Sequence, residues 1–118
     1  MEKICVYTTW GPTDPTRAGL AFAYAAVAKK QGIEVTLFLF HDAVLLANKD
    51  VADKIIPIGS PPIQETLNYL QEQNVDIYVC KACYDMGWLA EADLIKHAQL
   101  KGMNIFVNLT KEANVISF

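Results

Sequence analysis

The sequence predicts an α/β protein built on a parallel sheet with helices on both faces. Segments rich in β-branched and aromatic residues alternate with helical ones. The segment "IEVTLFLF" is apolar without a break, as a strand buried on both faces must be. A chain of 118 residues reads as one domain, 1–118, with room for one core.

The elements follow in order. "KICVYTT" (3–9) is the first strand, and the loop "WGPTDPT" leads to a helix over "RAGLAFAYAAVAKKQG", with Thr16 as its expected cap and Gly32 as its stop. "IEVTLFLF" (33–40) is the second strand, after which His41 and Asp42 open a short helix, "AVLLAN". "PIGSPP" (57–62) is a loop, and Ser60 is the expected cap of the helix "PPIQETLNYLQEQN", whose apolar face is Ile63, Leu67 and Leu70. "VDIYVC" (75–80) is the third strand. Beyond Gly87, "WLAEADLIKHAQLKG" is helical in composition, and "VISF" (115–118) is a terminal strand. "MNIFVNL" (103–109) suits a strand by propensity and a helix face by the spacing of Met103, Phe106, Val107 and Ala113; periodicity alone leaves both open.

Composition narrows the function classes. With 53% hydrophobic and 19% charged residues, the chain is apolar for its size, which predicts surface buried between subunits. A net charge of -3 without any Lys/Arg cluster argues against nucleic acid, whose phosphates require a basic face. The longest apolar runs are too short to span a membrane. The opening "MEKICVY" enters a strand at once, without the charged-then-apolar pattern of an export signal, so a cytoplasmic location is expected.

Chemistry concentrates in "DIYVCKACYDMGW" (76–88). Ligands collect at the carboxyl edge of an open parallel sheet, and Cys80 occupies that edge. A helix starting after Cys80 and the cation of Lys81 would both favour a thiolate, so a lowered pKa is expected. Packing explains Cys5, inside an apolar strand. A thioredoxin-like pair has the Cys80–Cys83 spacing, but the proline that faces such a pair is missing, since none follows Pro62, which weakens the redox reading and leaves a regulatory disulfide open. Structural zinc needs four ligands, whereas His41 and His97 stand alone, so no metal or cofactor is expected. A Cys-His hydrolase would need His41 to approach Cys80, and no orienting acid or oxyanion motif accompanies it. The first loop, with Thr8, Thr9, Gly11, Thr13 and Thr16, suggests a phosphate cradle but lacks Gly-x-Gly-x-x-Gly and any P-loop lysine; turn and cap chemistry is the usual meaning of such a Thr/Pro/Gly composition. Trp10 and Trp88 flank the cysteines and suit a pocket wall or a subunit contact.

The chain resembles the DsrE/DsrF/DsrH family of small sulfur-relay proteins, including TusD-type subunits. The resemblance runs from "ICVYTT" and its Thr/Pro/Gly loop through "EVTLFLFHDAVLLANK" and "DIYVCKACYDMGW" to "NVISF". It implies a three-layer α/β/α domain, flavodoxin-like in layering, with a mainly parallel five-stranded sheet. It also implies a short strand near "AQLKG", a helix over "NIFVNLTKE", and a homo-oligomer, trimer or hexamer. In sulfur-transferring members the functional cysteine ends the third strand, and the matching residue is Cys80. Cys83 corresponds to a position that is often not cysteine. Many members carry arginine before the glycine, where this chain has Met86-Gly87, which removes a cation that would hold an anionic sulfur.

The leading expectation is a sulfur carrier: Cys80 accepts sulfane sulfur from a donor protein as a persulfide and passes it to an acceptor. Cys83, His41 and Lys81 are accessory candidates, and Thr9, Trp10, Gly11, Asn48 and Trp88 are the expected pocket. Whether such transfer counts as enzymatic is a matter of convention. The alternative is a non-catalytic oligomeric module that binds a small ligand or a partner protein at the same sheet edge.

Overall fold

The computed structural model describes residues 2–118. Five strands form one sheet: β1 (Lys3–Thr8), β2 (Glu34–Leu39), β3 (Asp76–Cys80), β4 (Ala98–Lys101) and β5 (Asn114–Ser117). The spatial order is β4-β3-β2-β1-β5, and every neighbouring pair is parallel. The chain steps outward from β1 to β4 and then returns to place β5 on the other side of β1. The layering is the expected one, although this order differs from the 2-1-3-4-5 order of flavodoxins.

Alternation along the strands assigns the two faces. On one face Val6, Leu37, Ile77 and Val79 are fully buried with α1 (Pro15–Lys30) and α2 (Ile63–Glu72), which pack against each other. α1 is rich in alanine because it lies close to its neighbours. Ala18, Ala21 and Ala25 are fully buried, and a Cβ on Gly19 would stand 2.5 Å from Pro57 Cγ. On the other face α4 (Met103–Glu112) sets Phe106 edge-on to Tyr7, Phe38 and Phe40 at centroid distances of 5.0–5.3 Å. Those contacts decide the ambiguous segment in favour of helix, since only a helix delivers Phe106 onto three rings while the next strand still begins at Asn114. Among the described residues, no helix is long and apolar enough to cross a membrane.

Three local expectations are corrected. Asp14, not Thr16, caps α1: its carboxylate accepts the Arg17 N–H at 3.1 Å, and Pro15 follows in the first turn, where its missing N–H costs nothing. Thr16 instead accepts the Ile58 N–H, tying α1 to the loop before α2. Ser60 does not cap α2, which starts at Ile63 after Pro62 without a side-chain cap. The helix expected beyond Gly87 is absent, apart from a 3₁₀ turn at Glu91–Asp93. Its backbone groups bond elsewhere: Lys49 N–H donates to Asp93 O at 2.8 Å and Ile95 N–H to Ala47 O at 2.9 Å, which holds the segment extended until β4 begins. Tertiary pairing overrides a helical composition there.

Candidate functional site

The site is assembled by the carboxyl ends of three adjacent strands. At the end of β1, the buried Thr8 hydroxyl accepts the Trp10 N–H at 3.1 Å and donates to Phe118 O at 3.2 Å, which fixes where the first loop departs. That loop then packs on the segment after β2. A Cβ on Gly11 would lie 2.1 Å from Asp42 O, so only glycine fits, and Thr13 Oγ1 donates to the Asp42 carboxylate at 2.8 Å. Asp42 therefore braces the first loop beside His41.

At the end of β2 the backbone turns left-handed at His41, with φ 54°, a conformation that non-glycine residues seldom adopt. The His41 N–H donates to Cys83 Sγ at 3.3 Å. Cys83 sits in the first turn of α3 (Lys81–Met86), and Cys80 is the capping residue of that helix. Cys80 Sγ accepts the Cys83 N–H at 3.4 Å, the position at which a serine or aspartate cap would bond. A capping side chain reaches toward the third helical residue, so this role draws the Cys80 sulfur to Cys83.

The expected drop in the Cys80 pKa is overturned. Cys80 is only 7% exposed, and burial, reinforced by the neighbouring Cys83 thiol, pushes its thiol above the ordinary value. The Cys83 and Ala82 amides act in the opposite direction without reversing the shift. Lys81 does not supply the missing charge, because its ammonium holds the Asp85 carboxylate at 2.6 Å on the exposed side of α3. Cys5 is wholly buried in β1, and burial pushes its thiol up to about 11.

Cys83 is half-buried and lines a cavity of about 390 Å³ together with His41, Val44, Leu45, Met86 and Leu89. His41 and Asp42 also border a second cavity of about 260 Å³, walled by Thr9, Trp10 and Thr13. The Arg17 guanidinium covers the Trp10 ring at 4.6 Å. Thus Cys80, Cys83, His41, Thr9, Trp10 and Gly11 come together at one edge of the sheet. Asn48 and Trp88 line neither cavity. The Asn48 carboxamide oxygen receives the Tyr84 hydroxyl at 2.9 Å, and Trp88 stands 94% exposed on a left-handed backbone just past α3.

Sequence reasoning missed two contributors. Asp42 was read only as a helix start, although an acid directly after a strand end and near a Thr/Gly loop is well placed to brace that loop. Tyr84 is fully buried, and its hydroxyl also reaches Ala90 O at 2.9 Å, so it anchors α3 to both flanking loops. Its place four residues after Cys80, on the same side of a helix, was the available signal.

Comparison with known proteins agrees with this architecture. The chain is 33% identical to MJ0989 of Methanocaldococcus jannaschii over 117 residues, covering 98% of this chain and 99% of that protein. It is also 33% identical to MK0008 of Methanopyrus kandleri over 119 residues, covering 100% of this chain and 95% of that one. The crystal structure of the YchN protein from E. coli superposes with a TM-score of 0.86 at 25% identity, covering both chains completely. The DsrE/DsrF-like family profile matches residues 2–118. This chain belongs to the DsrE/DsrF-like family.

Proposed function

We propose that the protein is a sulfur-relay carrier that accepts sulfane sulfur on Cys80 and passes it to an acceptor thiol. The observation that carries this reading is the placement of Cys80: it ends β3 at the carboxyl edge, caps α3, and receives an amide N–H on its sulfur. In the accepting step the Cys80 sulfur attacks the outer sulfur of a donor persulfide, the donor thiol leaves, and Cys80–S–SH remains. Burial keeps Cys80 protonated at rest, so the donor must bring it a base or a desolvated contact, which ties loading to docking. His41 holds the neighbouring sulfur through its backbone, while its exposed imidazole stands at the rim of both cavities.

The reading extends to assembly. Met86 is 81% exposed beside the larger cavity, and Trp88 follows it on the same surface segment. Large apolar side chains so exposed favour burial against another copy of the chain, with the site close to that interface. Tyr24 takes no part in that surface, since it is half-buried against Phe118 with ring centroids 5.5 Å apart. A cytoplasmic location belongs to the same reading.

A second reading is favoured by one observation: the apolar lining of the larger cavity, with Met86 in the place of a cation, suits a small apolar ligand or a partner side chain. Radiolabelled sulfane sulfur separates the two. A carrier takes label from a persulfide donor and gives it up, to an added thiol or as sulfide, whereas a binding module leaves the label on the donor.

A further inference from the structure

The geometry points to a second activity at this site: Cys83 discharges the sulfur held on Cys80 as hydrogen sulfide, closing a Cys80–Cys83 disulfide. This rests on the carrier reading above and adds a fate for the sulfur when no acceptor is present.

Three features converge. The capping arrangement sets the Cys80 sulfur against Cys83, whose N–H donates to Cys80 Sγ at 3.4 Å. The i, i+3 spacing across a helix start permits a disulfide without unwinding the helix, because the first residue lies outside it and the second within its first turn. Cys83 is also the sulfur that opens to the cavity of about 390 Å³, so a leaving sulfide has a path out, and the His41 N–H at 3.3 Å stabilises the thiolate that must form there. Cys5 is excluded from this exchange by its complete burial within β1.

The step balances without an outside oxidant. The Cys83 thiolate attacks the inner sulfur of Cys80–S–SH, the bond between that sulfur and its outer neighbour breaks, and hydrosulfide leaves with the electron pair. Two cysteine sulfurs are oxidised to the disulfide while the sulfane sulfur is reduced to sulfide, and the proton lost from Cys83 completes hydrogen sulfide. A carrier lacking Cys83 has no such route, and its persulfide should persist.

Glutathione persulfide, without an acceptor protein, is the probe, and the readouts are intact mass and sulfide released into solution. The expected result is a wild-type chain lighter by two hydrogens with one sulfide released per chain, beside a Cys83→Ser chain that is heavier by one sulfur and releases none. A wild-type chain that stays heavier by one sulfur and releases no sulfide overturns the discharge while leaving the carrier intact. A Cys83→Ser chain that folds, by circular dichroism, yet never gains sulfur removes the carrier reading itself. A Cys80→Ser chain that gains a stable sulfur overturns the assignment by reversing the two roles.

Discussion

The amide of His41 donates to the sulfur of Cys83 across 3.3 Å, which joins the end of β2 to the first turn of the helix that follows β3. This bond needs the His41 backbone and not its imidazole. His41→Gly should therefore stabilise the fold slightly, by up to about 1 kcal/mol, because glycine adopts the left-handed conformation without strain. Sulfur loading should stay within a few-fold of wild type. A loss of roughly a hundredfold, the scale of general acid–base catalysis, would place the imidazole in proton transfer instead. Urea titration and loading kinetics on the same preparation check both statements.

Thiol modification should follow burial. In the folded chain, iodoacetamide should label Cys83 first, Cys80 slowly and Cys5 not at all. Because Cys80 is raised by burial, its labelling should climb only as pH passes above the ordinary thiol range. Peptide mapping across a pH series reads this, and equal labelling of Cys80 and Cys83 at neutral pH would contradict it.

Cys5 should make the fold sensitive to alkali. The unfolded thiol begins to lose its proton near its ordinary 9.0, while the folded one keeps it up to about 11. Between those values the folded chain binds more protons, so stability falls as pH rises through that window, by roughly 2 kcal/mol at its upper end. Relative to wild type, Cys5→Ala should lack this alkaline loss. Chemical denaturation below and above the window measures the difference, and parallel losses in the two proteins would refute the prediction.

The bracing residues should matter for stability as well as for the site. Tyr84→Phe leaves the Asn48 and Ala90 oxygens without their shared donor and should cost about 1–2 kcal/mol. Gly11→Ala pushes a methyl group into the Asp42 backbone and should cost about 1–3 kcal/mol while loosening the wall of the smaller cavity. Thermal unfolding of each variant against wild type provides the test; an unchanged melting temperature for Gly11→Ala would mean that the loop does not pack on Asp42.

Strands β1, β2, β3 and β5 were legible because their apolar runs are short and bounded by polar residues, whereas β4, inside a stretch of helical composition, was implied only by the family resemblance; Cys80 was legible as a site because a cysteine ended one of those runs. The adjacency of Cys83 was implicit in the i, i+3 spacing. What escaped was decided by distant partners. Thr16 lost the cap to Asp14 because Pro15 fixed the helix start two residues earlier, and Leu94 and Ile95 were drawn into extended pairing with residues 47–49, which no local pattern announces. Lys81 looked like a partner for Cys80 in sequence, yet an aspartate four residues on captured it, as helix geometry favours for that spacing.

The most direct test of Cys80 as the sulfur-bearing residue is the intact mass of two variants after exposure to a persulfide donor. Both carry Cys83→Ser, so that no disulfide can form between the pair, and one also carries Cys80→Ser. The chain retaining Cys80 should gain one sulfur, and that sulfur should leave again when an acceptor thiol is added. The doubly substituted chain, left with the buried Cys5 alone, should gain none; if it gains sulfur as fully as its partner, Cys80 is not the carrier.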